Sequence, residues 1–224
     1  MESAPPRLAR QRRALVTLAA AALVLTACSG SGFQYVQNDD FNAYFKLDED
    51  WRLFEEEEFF ASPALDLEPL ERQRRLASTW VRGFDADPNP KLTNLFVNAT
   101  PAPHGVARIQ ILSEAEREGF DVAALRAAHL GFDPVRAKRE DPKGSVEVLG
   151  EEFLSLDGGQ HGVRLQLAFD TSTGDIAVID QTALVDSSRG LLYLFVIGCS
   201  SRCYAENQET IKEIADSWTI EESP

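Results

Sequence analysis

The stretch Gly162-Val163-Arg164-Leu165-Gln166-Leu167-Ala168-Phe169 decides the fold class, because Val163, Leu165, Leu167 and Phe169 alternate with Arg164, Gln166 and Ala168. A period of two is the signature of a half-buried strand. Asp170 to Asp175, centred on Thr173-Gly174, turns the chain into a second run, Ile176 to Val185, and the pair reads as a hairpin. Asp186 to Gly190 turns it again, into Leu191 to Ile197. That third run is apolar on both sides, so it belongs inside a sheet covered on both faces. Cover is available downstream, where Tyr204, Ile211, Ile214, Ala215 and Trp218 recur at helical spacing as an apolar stripe. The expected fold class is α/β in content, built as an α+β sandwich with a mainly antiparallel sheet covered by helices.

Working toward the N-terminus, Phe33 to Phe54 reads as two or three short strands broken at Asn38-Asp39-Asp40 and Asp48-Glu49-Asp50. The acidic quartet Glu55 to Glu58 opens a short helix into Phe59 and Phe60, since negative charge is favourable at a helix N-terminus. Leu67 to Arg75 is surface or a short helix, and Leu76 to Phe84, Leu92 to Asn98 and Val106 to Leu112 are strand candidates. In the last of these Val106, Arg108 and Gln110 alternate imperfectly with Ala107, Ile109 and Ile111. Asp121 is a sound N-cap for a helix carrying Val122, Leu125 and His129 on one side and closing at Gly131.

The N-terminal segment sets location. Arg7, Arg10, Arg12 and Arg13 precede fourteen residues, Ala14 to Ala27, that are almost unbroken Ala, Leu and Val, which is signal-peptide anatomy. At about 1.5 Å per residue this run covers roughly 21 Å, too short for a hydrocarbon core of about 30 Å. Its ending, Leu25-Thr26-Ala27-Cys28, resembles a bacterial lipoprotein lipobox. The resemblance implies diacylglyceryl transfer to the Cys28 sulfur, cleavage after Ala27 and acylation of the new amine. Each buried methylene contributes about 0.8 kcal/mol, so several chains hold a protein that one would release. Ser29-Gly30-Ser31-Gly32 then forms a flexible tether. The expected organisation is a signal peptide over residues 1–27, lipidated Cys28 and tether over 28–32, and one globular domain over 33–224. The mature chain is expected outside the cytoplasm, anchored to the cell membrane or outer membrane.

Removing residues 1–27 takes away four arginines and one glutamate, moving the formal charge from −14 to −17. So acidic a domain disfavours nucleic acid and anionic headgroups as partners and suits basic proteins or cations. With Cys28 acylated, Cys199 and Cys203 remain. Their i, i+4 spacing at a strand-to-helix junction, in an exported chain, leads us to expect a disulfide rather than a redox pair, for which Cys-x-x-Cys is the usual spacing.

Tyr44-Phe45-Lys46-Leu47 followed by Trp51, the strands from Gly162 to Ile197, and the closing Ser217-Trp218-Thr219-Ile220 together resemble the PsbP-like family. The resemblance covers the two ends of the mature chain better than Leu65 to Asp141. It implies an antiparallel sheet between helical layers, an α/β/α sandwich, and a binding or assembly module without known catalysis. No functional residue transfers with it.

The chain carries no Gly-x-Ser-x-Gly elbow, phosphate loop, dinucleotide fingerprint or zinc motif. We therefore expect a non-catalytic, membrane-anchored envelope module with a protein partner, no cofactor, no metal and no nucleic acid. Two alternatives come from other classes. A small envelope hydrolase would need His104, His129 or His161 within roughly 2.6 to 3.2 Å of a Ser, Asp or Glu in a deep pocket. A divalent-cation binder would use the acidic surface, although Asp170 to Asp175 lacks the EF-hand layout and reads as a polar turn.

Overall fold

A computed structural model describes residues 32–97 and 99–221. Its centre is a seven-stranded, wholly antiparallel sheet, flanked on one face by helices and on the other by a second, smaller sheet and the C-terminal helices. The chain opens with β1 (Phe33–Asn38), β2 (Ala43–Asp48), β3 (Arg52–Phe54), α1 (Glu56–Phe60), α2 (Pro69–Ser78) and β4 (Thr79–Asp85). A 3₁₀ turn at Leu92–Phe96 precedes β5 (His104–Ile111), then come α3 (Glu114–Gly119), α4 (Val122–Ala127) and α5 (Pro134–Glu140). The second half comprises β6 (Val146–Ser155), β7 (His161–Asp170), β8 (Ile176–Val185), β9 (Leu191–Ser200), α6 (Ser201–Glu206), α7 (Gln208–Asp216) and β10 (Thr219–Ile220). The large sheet runs β3-β4-β5-β9-β8-β7-β6, and the small one β1-β2-β10.

The expected α+β class with antiparallel sheets and helical cover is what the chain adopts. β9, apolar on both sides, lies inside the sheet between β5 and β8. One face packs Phe84, Ile109, Phe195 and Ile197 against Phe45 of the small sheet and Ile211 and Ile214 of α7. Phe45 meets Phe195 at 5.3 Å, Phe84 at 5.8 Å and Trp218 at 5.9 Å between ring centroids. Edge and offset contacts of this kind add to the roughly 1.5–3 kcal/mol that each buried large side chain contributes. The opposite face packs Val163, Leu165, Leu167, Leu194 and Val196 under Leu125, Phe120 and Val135 of the α3–α5 segment.

The first and last of the three segments quoted for the resemblance meet in space. Thr219 and Ile220 pair with Tyr44 and Ala43, and the Ser217 hydroxyl accepts from the Lys46 amide at 3.0 Å while donating to the Ile214 carbonyl at 2.6 Å.

Sequence expectations change at several points, among them the helix from Asp121, which ends at Ala127 rather than Gly131 and leaves His129 beyond it. Within the expected Leu92 to Asn98 strand, Leu92–Phe96 is instead a 3₁₀ turn whose Asn94 amide donates to the Lys91 carbonyl, and Asn98 lies outside the described residues. Leu76 to Ser78 finish α2 rather than begin β4. The single C-terminal helix is two, because Asn207 closes the first turn by donating from Nδ2 to the Cys203 carbonyl at 2.9 Å. Finally, cover on one face comes partly from a sheet and not only from helices.

Candidate ligand-binding site

On the helical face, a cavity of about 310 Å³ opens between the sheet and the α1–α2 segment. Its floor is built by strand register. Thr79 stands beside Gln110, and Val81, Arg108 and Leu194 form one rung across β4, β5 and β9. The walls are Phe59 and Phe60 of α1, Leu65 and Leu67 of the following turn, and Leu95 and Phe96 of the 3₁₀ turn. Arg75 of α2 and His129, just beyond α4, complete it.

Local sequence explains each wall. The acidic quartet opens α1 as expected, with the Glu58 carboxylate accepting from the Glu55 amide at 3.2 Å. Arg82 of β4 ties that helix to the sheet by pairing with Glu55 at 2.7 Å and with Glu56. Phe59 then packs on Phe60 at 5.6 Å and on Phe96 at 5.4 Å, so the aromatic wall is continuous from α1 to the 3₁₀ turn. The turn can sit so low because Gly83 beneath it has no side chain.

The polar members of the lining are basic or neutral. Arg108 donates from Nη2 to the Ala128 carbonyl at 3.0 Å, while its Nε is buried without a hydrogen-bond partner. Burial, assisted by nearby Arg75, pulls its pKa down to about 10. It remains a cation at neutral pH, and among the described residues no carboxylate forms an ion pair with it. Arg75 is held by Glu71 at 2.8 Å. His129 is half-buried, and burial followed by repulsion from Arg108 and His104 lowers its pKa to about 4, so the ring is neutral.

The residues singled out from sequence fall elsewhere, with one exception. Cys28 lies outside the described residues. Cys199 and Cys203 are joined by a disulfide with Cα atoms 5.9 Å apart, buried between β9 and α6 on the face opposite the cavity. Of the histidines only His129 lines the cavity, and it makes no hydrogen bond among the described residues. His104 and His161 open β5 and β7, the first buried and the second exposed.

His104 Nδ1 lies 2.7 Å from the Thr100 hydroxyl, which also lies 2.7 Å from the Ala102 carbonyl. A carbonyl can only accept, so the hydroxyl donates to it and receives the histidine proton. This arrangement fastens the Thr100–His104 corner and leaves the imidazole a donor, not a base toward that hydroxyl. Burial lowers the His104 pKa, against the pull of nearby carbonyls and Asp85. The Asp170–Asp175 turn is closed on itself, with Thr171 Oγ1 donating to the Asp175 carbonyl at 2.9 Å. Among the described residues no group of three or more His, Cys, Asp or Glu is placed to hold a metal, and no helix is long and apolar enough to cross a membrane.

Sequence reasoning did not single out Arg108 as a site residue. The signal was the polar face Val106-Arg108-Gln110 of β5, which looks solvent-facing until Phe59, Phe60 and Leu95 are seen to roof it.

The fold is an α+β sandwich with a small, partly open cavity on its helical face. No family model matches the sequence, and no curated protein sequence matches it. Several solved structures resemble it. Cyanobacterial PsbP (CyanoP) from Synechocystis sp. PCC 6803 is similar at 12% identity with a TM-score of 0.48, over 88% of this chain and 99% of that one. LpqN of Mycobacterium tuberculosis, described as involved in cell envelope biogenesis, is similar at 15% identity and a TM-score of 0.39, over 84% and 83%. The Saccharomyces cerevisiae Ran-binding protein Mog1p is similar at 12% identity and a TM-score of 0.40, over 85% and 96%. At identities and scores this low, nothing about function passes from them to this chain.

Proposed function

We propose that this chain is an exported, lipid-anchored envelope protein whose domain, of the PsbP-like kind, binds a small apolar ligand or a partner near a membrane surface and does not turn it over. The observation that carries the binding reading is the cavity over β4, β5 and β9, with a continuous aromatic wall and a few convergent polar groups. That combination is the usual form of a small-molecule site. The lining favours holding over catalysis, since His129 is neutral beside Arg108 and no Ser, Asp or Glu among the described residues lines the cavity with it. The anchor reading is supported by the lipobox at Cys28, the basic flank before it and the Ser-Gly tether after it. The acidic character of the mature domain suits a basic envelope protein as partner.

Two measurements test this. Mass spectrometry of the processed protein is expected to show a chain beginning at Cys28 and carrying acyl mass, and Cys28→Ala is expected to leave the membrane fraction in a high-salt wash. An unmodified wild type, with the variant still sedimenting with membranes, would sink the anchor. Hydrolysis of an ester or glycoside panel by the purified protein, abolished in His129→Gln, would sink the binding reading.

A further inference from the structure

We infer that the cavity takes a small single-chain amphiphile with one anionic head group, its chain lying between Phe60, Leu95 and Leu194 and its head on the Arg108 guanidinium. The inference rests on reading the cavity as the binding site and adds the charge and shape of the occupant.

The argument begins with an imbalance at Arg108. A guanidinium carries five N–H donors in a planar fork and keeps its charge at every physiological pH. Here it stands mid-sheet between Val81 and Leu194, two side chains that offer it nothing polar. One donor reaches the Ala128 carbonyl, and the buried Nε reaches no acceptor. Enclosing a cation without a counter-charge is costly, and proteins that do so generally supply an anion. Elsewhere in this chain that rule is obeyed: Arg164 has Asp180 and Asp216, Arg126 has Glu151, and Arg82 has Glu55. Arg108 stands apart from these in a protein of formal charge −14.

The rest of the cavity fixes the class. Arg75 already has Glu71, so one negative charge balances the site. His129 is neutral above about pH 4 and adds no second cation. A carboxylate or phosphate oxygen pair fits the planar guanidinium fork and supplies the missing counter-charge. Beyond the fork the walls are aromatic and aliphatic, which calls for hydrocarbon on the same molecule. At about 310 Å³ the cavity is at the lower end of the small-molecule range of roughly 300–1,000 Å³, enough for one chain and not for a two-chain lipid.

Isothermal titration of the full chain in nanodiscs of uncharged lipid, with empty discs as the blank, tests this with octanoate, octyl phosphate, octanol and octylamine. The anions are expected to bind with one-to-one stoichiometry, about tenfold or more tighter than octanol, and octylamine not at all. Whichever anion binds tighter assigns the head to a fatty acid or to a phosphate-headed lipid. Arg108→Met is expected to cost about tenfold to a hundredfold in anion affinity while leaving octanol unchanged. Equal binding of octanol and the anions, or full anion affinity in Arg108→Met, overturns the inference and leaves the cavity a binding site. Failure of all four probes overturns both readings. Should Arg108→Met lose octanol too, Arg108→Lys decides: it keeps the charge, is expected still to prefer octanoate to octanol, and overturns the inference if it does not.

Discussion

Leu95 occupies the space that a side chain on Gly83 would need: a Cβ there would lie 2.2 Å from Leu95 Cδ1. The 3₁₀ turn can therefore press onto β4, and that closeness gives the cavity its wall. Gly83→Ala is expected to push the Leu95 side chain aside and destabilise the domain by about 1 kcal/mol, because the clashing atom is the far end of a flexible side chain. Leu95→Ala should relieve the clash. In a double-mutant cycle read by urea denaturation, the two changes together are expected to cost less than their sum. Simple additivity would show that the two residues do not compete for this space.

Arg164 of β7 grips Asp180 of β8 through two parallel bonds, Nε to Oδ1 at 2.9 Å and Nη2 to Oδ2 at 2.8 Å, and reaches Asp216 of α7 at 2.6 Å. Asp180 is only 6% exposed. Hydrogen bonding to Asp180 raises the Arg164 pKa further, so it is never lost by titration. Arg164→Ala leaves Asp180 uncompensated and is expected to cost about 1–3 kcal/mol, discounted because the arginine is half-buried. Arg164→Met combined with Asp180→Leu should cost less than Arg164→Ala alone. Thermal melting of the variants checks both.

His129 makes stability depend on pH. Its folded pKa of about 4 lies below the ordinary 6.5, so the unfolded chain binds the proton more tightly. The contribution is fully present above pH 6.5 and is lost as pH falls toward 4, by less than about 3 kcal/mol. His104, also depressed by burial, acts in the same direction. Chemical denaturation between those pH values is expected to show stability rising with pH, with a shallower slope in His129→Gln. An unchanged slope would place His129 in solvent.

Cys199 and Cys203 are both nearly solvent-free, at 0% and 2% exposure. Thiol reagents are expected to label neither in the native protein, and to label both only after reductant and denaturant together. Because the closed loop is short, removing the bond in Cys199→Ala/Cys203→Ala is expected to cost about 2 kcal/mol on the chain-entropy model. Labelling of both thiols in oxidised, unfolded protein would show that the bond does not form in the purified chain.

β7 is legible because Val163 to Phe169 alternate between buried and part-buried positions, and β9 because its run is apolar on both sides, as a strand inside a covered sheet requires. Other elements hid for identifiable reasons. In β6 the register shifts between Val148 and Gly150, which puts the two halves of the strand out of phase, and its acidic residues lie exposed on the sheet's edge. Leu92 to Phe96 has strand-like composition but folds as a 3₁₀ turn because Gly83 leaves it a place to rest, a contact nine or more residues away in sequence. The same long-range relation concealed the cavity: Arg108 reads as one polar residue on a strand, and only tertiary packing puts Phe59, Phe60 and Leu95 above it.

β1 meets β2 with Phe33 opposite Asp48, at the open end of their hairpin. A pull applied at Phe33, away from β2, would therefore open this hairpin rung by rung rather than shear six rungs at once. Opening it that way would break no rung of the seven-stranded sheet, to which β1 does not belong, nor any wall of the cavity on the opposite face.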